Sequence, residues 1–549
     1  MKRFFTLLSM VCVMAAQTAK LPPRPEDALL VQIRAAREDP TKAVELVVRL
    51  VREFPDSNGA SQAGSYFANA LRQQARTDRS PEKLAMLANR YIEGTAKAPA
   101  QLCVRSNSFA VTAMLQLEMW KPALALLQHT IPEMDEEAYL DFARAANDRD
   151  NKWGMQLPGR KQYPFIADDW EERFHTAQAT YFSQLGRTYE GLKDEPNAEA
   201  AYRKTYSIEP TAPAAMGIAG ILERKGKDPE ALDFMTRAAL TGKLDKSGVT
   251  LFHALYAKAH NGSLDGLDAM LDERFREHDR NPVQAEKYQS AAKRSNRTAL
   301  LEFFTGAGCI PCIPFDYTLE KALTSYTRSE LVVLVYHMHA PTSDPMGNRS
   351  SEARQGYYDV HGAPTPYLDG HEITSPDNDV RNKAGATAVS QRVYDEFRRA
   401  IDQRLETPAP ITLKLEGERE AGLVHGVVTM TGNATGTLHL ALVENEVHYT
   451  GENGLRFHIM VVRNVMSVSA RDRLQHTFDL AAITSANQRY YDEYAGELMA
   501  KVGARGVTDF NVSFREQKHM MNPSNLSLAA FVQDDKTKEI FQATSIPVP

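Results

Sequence analysis

The chain has 549 residues, of which 43% are hydrophobic and 24% charged, with a formal net charge of −6. That is enough length for roughly three or four domains and an ordinary globular balance. A nucleic-acid-binding surface would show as a basic stripe or cluster, and none is visible. Four cysteines in so long a chain do not make a secreted disulfide scaffold, which would be small and cysteine-dense.

At the N-terminus Lys2 and Arg3 precede an apolar run over residues 4–16, with small residues at Ala15, Ala16 and Ala19. Charge, apolar run and small residues in that order read as a secretory signal peptide over residues 1–19, cleaved between Ala16 and Lys20. The run is too short to span a bilayer, and no later stretch approaches the roughly 20 apolar residues required. The mature protein is expected to be soluble and exported, to the periplasm or cell envelope. Cys12 leaves with the signal, so Cys103, Cys309 and Cys312 remain.

Residues 26–290 read as helix, with apolar residues three and four apart. Phe182, Leu185, Gly186, Tyr189, Ala198, Tyr202 and Pro210 fall at the spacings of a tetratricopeptide repeat, a helix–turn–helix unit. Gly186 and Ala198 let two helices approach, the aromatic residues fill the seam, and Pro210 ends the second helix. Ala43, Val47 and Pro55 repeat part of this spacing, and Gly220 stands 34 residues after Gly186. The region resembles a tetratricopeptide-type solenoid with one well-formed repeat. Such stacks offer surfaces for protein partners; a helical spacer without a ligand is the alternative. Cys103, in helix, is expected to be a small buried hydrophobe.

From 293 to 406 strands and helices alternate, the pattern of an α/β sheet. Residues 298–304 and 331–336 are buried strands. Helices are expected after the cysteine pair, over 351–358, and over the stripe Val389, Val393, Phe397, Ile401 and Leu405. Residues 364–368 form a short strand turned by Asp369-Gly370. From 408 to 549 short strands recur between turns, which predicts an all-β sandwich acting as an accessory module. A helix near 488–499 interrupts them.

Cys309-Ile310-Pro311-Cys312 directly follows the first buried strand and opens a helix. There a thiolate is stabilised by free backbone N–H groups and the helix dipole, which lowers its pKa. Pro311 suits a first helical turn, where a missing N–H costs nothing. Cys309 is expected to be the exposed nucleophile and Cys312, one turn in, the resolving thiol.

Residues 300–304 before the pair and Gly362-Ala363-Pro364-Thr365 after it resemble the thioredoxin superfamily. The resemblance implies a cis-proline at Pro364 facing the sulfurs, backbone pairing of Ala363 with a substrate chain, and His361 near the site. It also implies a buried acid that takes the proton of the resolving cysteine. Glu302 is the candidate, although it stands seven residues before Cys309, one more than in typical thioredoxins. Gly308 stands where that family usually has an aromatic residue. Over residues 295–549 the chain is also similar to outer-membrane-associated Omp28-like proteins. The residues concerned are the Phe304-to-Cys309 segment, Tyr336-His337, Glu444, His458, Arg463 and the closing hairpin over 529–543.

Three readings of the cysteine pair remain open: redox exchange, a structural disulfide, and zinc, for which a closed site would need four ligands. His337 and His339 are either a metal-ligand pair or, like His448 and His458, solvated or hydrogen-bonded side chains. Glu302 has apolar neighbours, and burial would raise its pKa toward a range useful for proton transfer. No nucleophile elbow, phosphate loop or dinucleotide fingerprint occurs. The expectation is an extracytoplasmic thiol–disulfide oxidoreductase acting on protein disulfides or dithiols. Cys309, Cys312, Glu302 and Pro364 would do the chemistry, with Pro311, Ala363 and His361 against the substrate and no cofactor or metal. The alternative is a non-enzymatic cell-envelope adaptor whose cysteines form a structural disulfide.

Overall fold

The computed structural model describes residues 24–154, 165, 167–289, 293–373, 380, 383–503 and 514–548. The expected signal peptide lies outside these residues, as do residues 510–513 of the 408–549 stretch in which short strands are expected. The chain forms two compact units, Met1–Met235 and Thr236–Pro549.

The first unit is helical: α1 Asp27–Ala35, α2 Pro40–Glu53, α3 Ala63–Thr77, α4 Pro81–Thr95, α5 Ala100–Gln116, α6 Trp120–Thr130, α7 Glu136–Gly154, α8 Ala167–Gly191, α9 Glu195–Ile208 and α10 Ala212–Arg224. A further helix, α11 Asp228–Leu240, runs past its end. Local signals set several starts. Asp39 accepts from the Lys42 N–H (3.1 Å) at the head of α2, and Asp194 does the same for Asn197 (3.3 Å) at the head of α9. The repeat read from the spacing is a packed helix pair. A Cβ on Gly186 would stand 2.6 Å from one edge of the Tyr202 ring, and one on Gly217 would stand 2.3 Å from the opposite edge. Glycine at both positions therefore admits the ring, whose hydroxyl donates to Glu190 (2.6 Å). Gly217, rather than Gly220, carries this packing into α10; near Gly220 stands only an Arg224 side chain. Cys103 is buried, and burial pushes its thiol up to about 11.

The second unit carries the helices α12 Lys246–Ala259, α13 Leu267–His278, α14 Ile313–Ser325, α15 Arg349–Tyr358, α16 Lys383–Leu405 and α17 Leu480–Gly503. Its strands are β1 Ala299–Thr305, β2 Leu331–His337, β3 Thr365–Leu368, β4 His371–Glu372, β5 Thr412–Glu420, β6 Leu423–Thr431, β7 Thr437–His448, β8 Phe457–Ser469, β9 Arg473–Asp479, β10 Leu526–Gln533 and β11 Ile540–Pro547. Two expectations are corrected here. Helices α12 and α13 belong to this unit, not to one helical array over 26–290: Arg456 bonds Asp272 of α13 (2.6 Å), and Phe275 packs edge-on to Phe457 (5.4 Å). Helical periodicity reveals an apolar stripe but not what covers it.

The second correction concerns the boundary at 408. One eight-stranded sheet runs β11-β10-β7-β8-β2-β1-β3-β4. Within it β1 and β2 are parallel and buried along both faces, as their unbroken apolar runs require. Strand β3 is antiparallel to β1, and β4 to β3. Strand β8 lies parallel to β2, bridging at Val335 and Val461, so the tail continues the sheet begun by β1 instead of forming a separate module. A second sheet, β5-β6-β9, packs on this extension through a core that includes Leu415, Val428, Leu440 and Leu528. The expected two-layer packing is present, with one layer shared.

Candidate functional site at the cysteine pair

Side chains of β1 alternate between the two faces of the sheet. Phe303 stacks on Phe315 of α14 (centroids 5.5 Å apart), which meets Phe397 of α16 (5.7 Å). Phe304 faces the other way, toward Tyr358 of α15 (6.1 Å). Past β1 the chain turns through Gly306-Ala307-Gly308. Cys309 then precedes a 3₁₀ turn, Ile310–Cys312, that runs into α14. Pro311 and Pro314 occupy these opening turns, where no N–H is needed. Cys309 and Cys312 are joined as a disulfide, with Cα atoms 5.3 Å apart.

The expected exposed nucleophile is corrected: Cys309 is 3% exposed and Cys312 0%. The turn between β7 and β8 covers the loop that carries them. The Asn453 N–H donates to the Ala307 carbonyl (3.1 Å) and its Nδ2 to the Cys309 carbonyl (3.4 Å). A Cβ on Gly451 would stand 2.2 Å from the Ala307 carbonyl oxygen. Across the loop, a Cβ on Gly308 would stand 2.7 Å from Thr342 Oγ1, so an aromatic side chain preceding Cys309 would not fit.

Glu302 is also corrected. It is fully buried, but on the face opposite Phe303, where Arg354 of α15 grips both carboxylate oxygens (2.6 and 2.7 Å) and the Tyr358 hydroxyl donates to one (2.7 Å). Arg354 also bonds Gln533 (2.7 Å). Paired in this way, the carboxylate is an ion-pair anchor and is not available as a proton acceptor for Cys312.

Two other acids are tied to the cysteine loop or its helix. Asp344 ties the cysteine loop to β2, accepting from the Ala307 N–H (2.6 Å), the Met346 N–H (2.8 Å) and His337 Nδ1 (2.9 Å). Burial alone would push this carboxyl up; His337 and the two backbone donors outweigh it and hold it at about 2. Asp316, one turn beyond Cys312 on α14, is the opposite case. The residue keeps some surface, and its carboxyl has no hydrogen-bond or ion-pair partner among the described residues. Burial, reinforced by the charge of Asp344, pushes it well above the usual carboxylate range. Its register, four residues after Cys312, is visible in the sequence. The role of Asp344 is not, because a Pro- and Gly-containing loop carries no period.

The remaining candidates divide. The Ala363–Pro364 peptide is cis. Ala363 packs against the apolar cluster that contains both cysteines, and Pro311 is half-buried beside them in sequence. His361 is not drawn in: its side chain is 84% exposed and meets Asp359 at 3.5 Å. His337 and His339 are hydrogen-bonded, the latter accepting from the Asp344 N–H (2.9 Å) and pairing with the Tyr490 hydroxyl (2.9 Å). Burial pushes His339 down to about 4. His458 bonds the Tyr449 carbonyl (2.9 Å), and burial with neighbouring His337 pushes it to about 3. His448 lies between Glu446 (2.7 Å) and Asp272 (2.8 Å), and Glu444 pairs with Arg463 (2.6 Å).

No family model matches the chain, and no curated protein matches it either. Among solved structures, one titled "Crystal structure of MamA" matches at 14% identity, covering 40% of this chain and 94% of that one, with a TM-score of 0.22.

Proposed function

We propose that the protein is an exported thiol–disulfide exchange protein of thioredoxin type, in which the helical unit holds a protein partner. The observation that carries this reading is the Cys309–Cys312 disulfide at the head of α14, directly after the central strand β1. The strand order β2-β1-β3-β4 supports it. In the reduced protein, Cys309 thiolate attacks a substrate disulfide; that S–S bond breaks, a mixed disulfide forms, and one substrate thiolate leaves. Cys312 thiolate then attacks Cys309 Sγ and releases the second substrate thiolate. Two electrons pass to the substrate, whose thiolates take up two protons, and the protein returns to the disulfide. The reverse sequence oxidises a substrate dithiol.

A second reading has its own observation. Exposures of 3% and 0% under Asn453 suit a structural cross-link in a non-enzymatic cell-envelope adaptor. Redox equilibration of the purified mature protein in glutathione buffers, read by thiol trapping with Cys309→Ser as control, separates the two. A midpoint between about −120 and −270 mV supports exchange. A pair still oxidised below about −300 mV overturns it in favour of the cross-link.

A further inference from the structure

The helical unit contains a pocket of about 440 Å³ where the N-terminal residues 24–26, the end of α2, α5, α7 and α8 meet. Its volume suits a single small ligand. Three aromatic side chains, Phe142, Trp153 and Trp170, form part of its wall. Arg105 from α5 lies over two of these rings, 5.7 Å from the Phe142 centroid and 5.2 Å from that of Trp170.

The cations of the pocket differ in what they meet. Arg24 lies 4.0 Å over the Trp153 ring and pairs with Asp150 (3.2 Å). Among the described residues, the Arg105 guanidinium has neither an ion pair nor a hydrogen-bond acceptor. It is half-buried, its nitrogens open to the pocket, and burial lowers its pKa. One donor in the same wall is buried and orphaned: the indole N–H of Trp153 has no acceptor among the described residues. Unsatisfied buried donors are costly, and a guanidinium above an aromatic face is arranged to take a planar acceptor in its own plane.

We propose that this pocket binds a small aromatic carboxylate, its ring against the indoles and its carboxylate on Arg105. The acids in the lining argue for a single negative charge: Glu26, Glu53, Asp56 and Asp150 would repel a phosphate dianion more strongly than a carboxylate. Three aromatic walls argue for a flat ring over an aliphatic chain.

The chain has three tryptophans, two of them in this wall, so its intrinsic fluorescence reports occupancy. The test titrates the full mature chain with benzoate, with isosteric neutral benzamide alongside. Benzoate should give a saturable change that survives Trp120→Phe, and benzamide should bind about tenfold more weakly or worse. Arg105→Met should lose about tenfold in affinity, with Arg105→Lys between it and the native protein. Non-saturating quenching, or equal binding of benzoate and benzamide by the native chain, overturns the proposal without recourse to a variant. Unchanged affinity in a folded Arg105→Met protein also overturns it.

Discussion

Glu302 and Asp316 are both carboxyls of the second unit, one on β1 and the other on the helix that β1 feeds, yet their surroundings are opposite. Glu302 has a bidentate arginine and a tyrosine hydroxyl, all anchored to α15 and Gln533. Asp316 has no partner among the described residues, and the charge that acts on it is the like-signed Asp344. The difference teaches that burial alone does not make an acid chemically responsive. A buried carboxylate that is fully paired is part of the frame, whereas an unpaired one beside a like charge holds its proton more tightly than usual. Of the two, Asp316 is the acid on the cysteine helix.

The comparison can be broken most forcefully at Arg354. Arg354→Met leaves the buried Glu302 without its ion-pair partner and with only the Tyr358 hydroxyl, and should cost about 3–5 kcal/mol in urea unfolding. Adding Glu302→Leu should recover most of that loss; failure to recover would mean that the pair does more than neutralise itself. The next largest effect is expected at Asp344, whose folded carboxyl lies at about 2, below its ordinary value. Its stabilisation is fully present above the unfolded pKa of about 3.9 and is lost as pH falls toward 2. Asp344→Asn should therefore cost about 2 kcal/mol at pH 7, and the gap should close between about pH 4 and 2 in thermal melts.

Asp316 carries the opposite sign. Its raised carboxyl favours folding fully below the unfolded pKa, and that contribution is lost as pH rises through the folded value. Asp316→Asn should accordingly stabilise the protein by about 1 kcal/mol or more at about pH 8 and leave it unchanged at about pH 3. An Asp316→Asn protein that is less stable than the native chain at the higher pH would show that the carboxyl has a partner and that the contrast with Glu302 is false. The smallest effect is expected from the cover over the pair. Asn453→Ala removes its side-chain bond to the Cys309 carbonyl, worth about 1 kcal/mol or less. It should nevertheless quicken reduction of the disulfide by dithiothreitol, measured by trapping. An unchanged rate would mean that access does not run past Asn453.

Much of this arrangement is legible in the residues. The apolar runs at 299–305 and 331–337, the cysteine pair between strand and helix, the Ala363–Pro364 segment and the Gly186–Tyr202 seam are all set by local chemistry that spacing reveals. What spacing leaves out is partnership across long stretches of chain. Val335 meets Val461, and Ala307 meets Asn453, with nothing near either residue to announce the other. The alternation of β1 does separate Glu302 from Phe303. Only the topology says that the cysteine helix lies on the Phe303 side, and that is why Glu302, the acid that the thioredoxin resemblance suggests, stands on the wrong face.

The turn over the cysteines has a consequence in time. Asn453 and Gly451 lie some 140 residues downstream of the loop they cover, so on a chain emerging from a ribosome or an export channel the two thiols arrive first. During that interval they stand open to any oxidant or partner at the exit. Once residues 449–455 follow and β8 joins β2, the same pair is shut in. The oxidation state in which the molecule is sealed is then a memory of the redox conditions in which it folded.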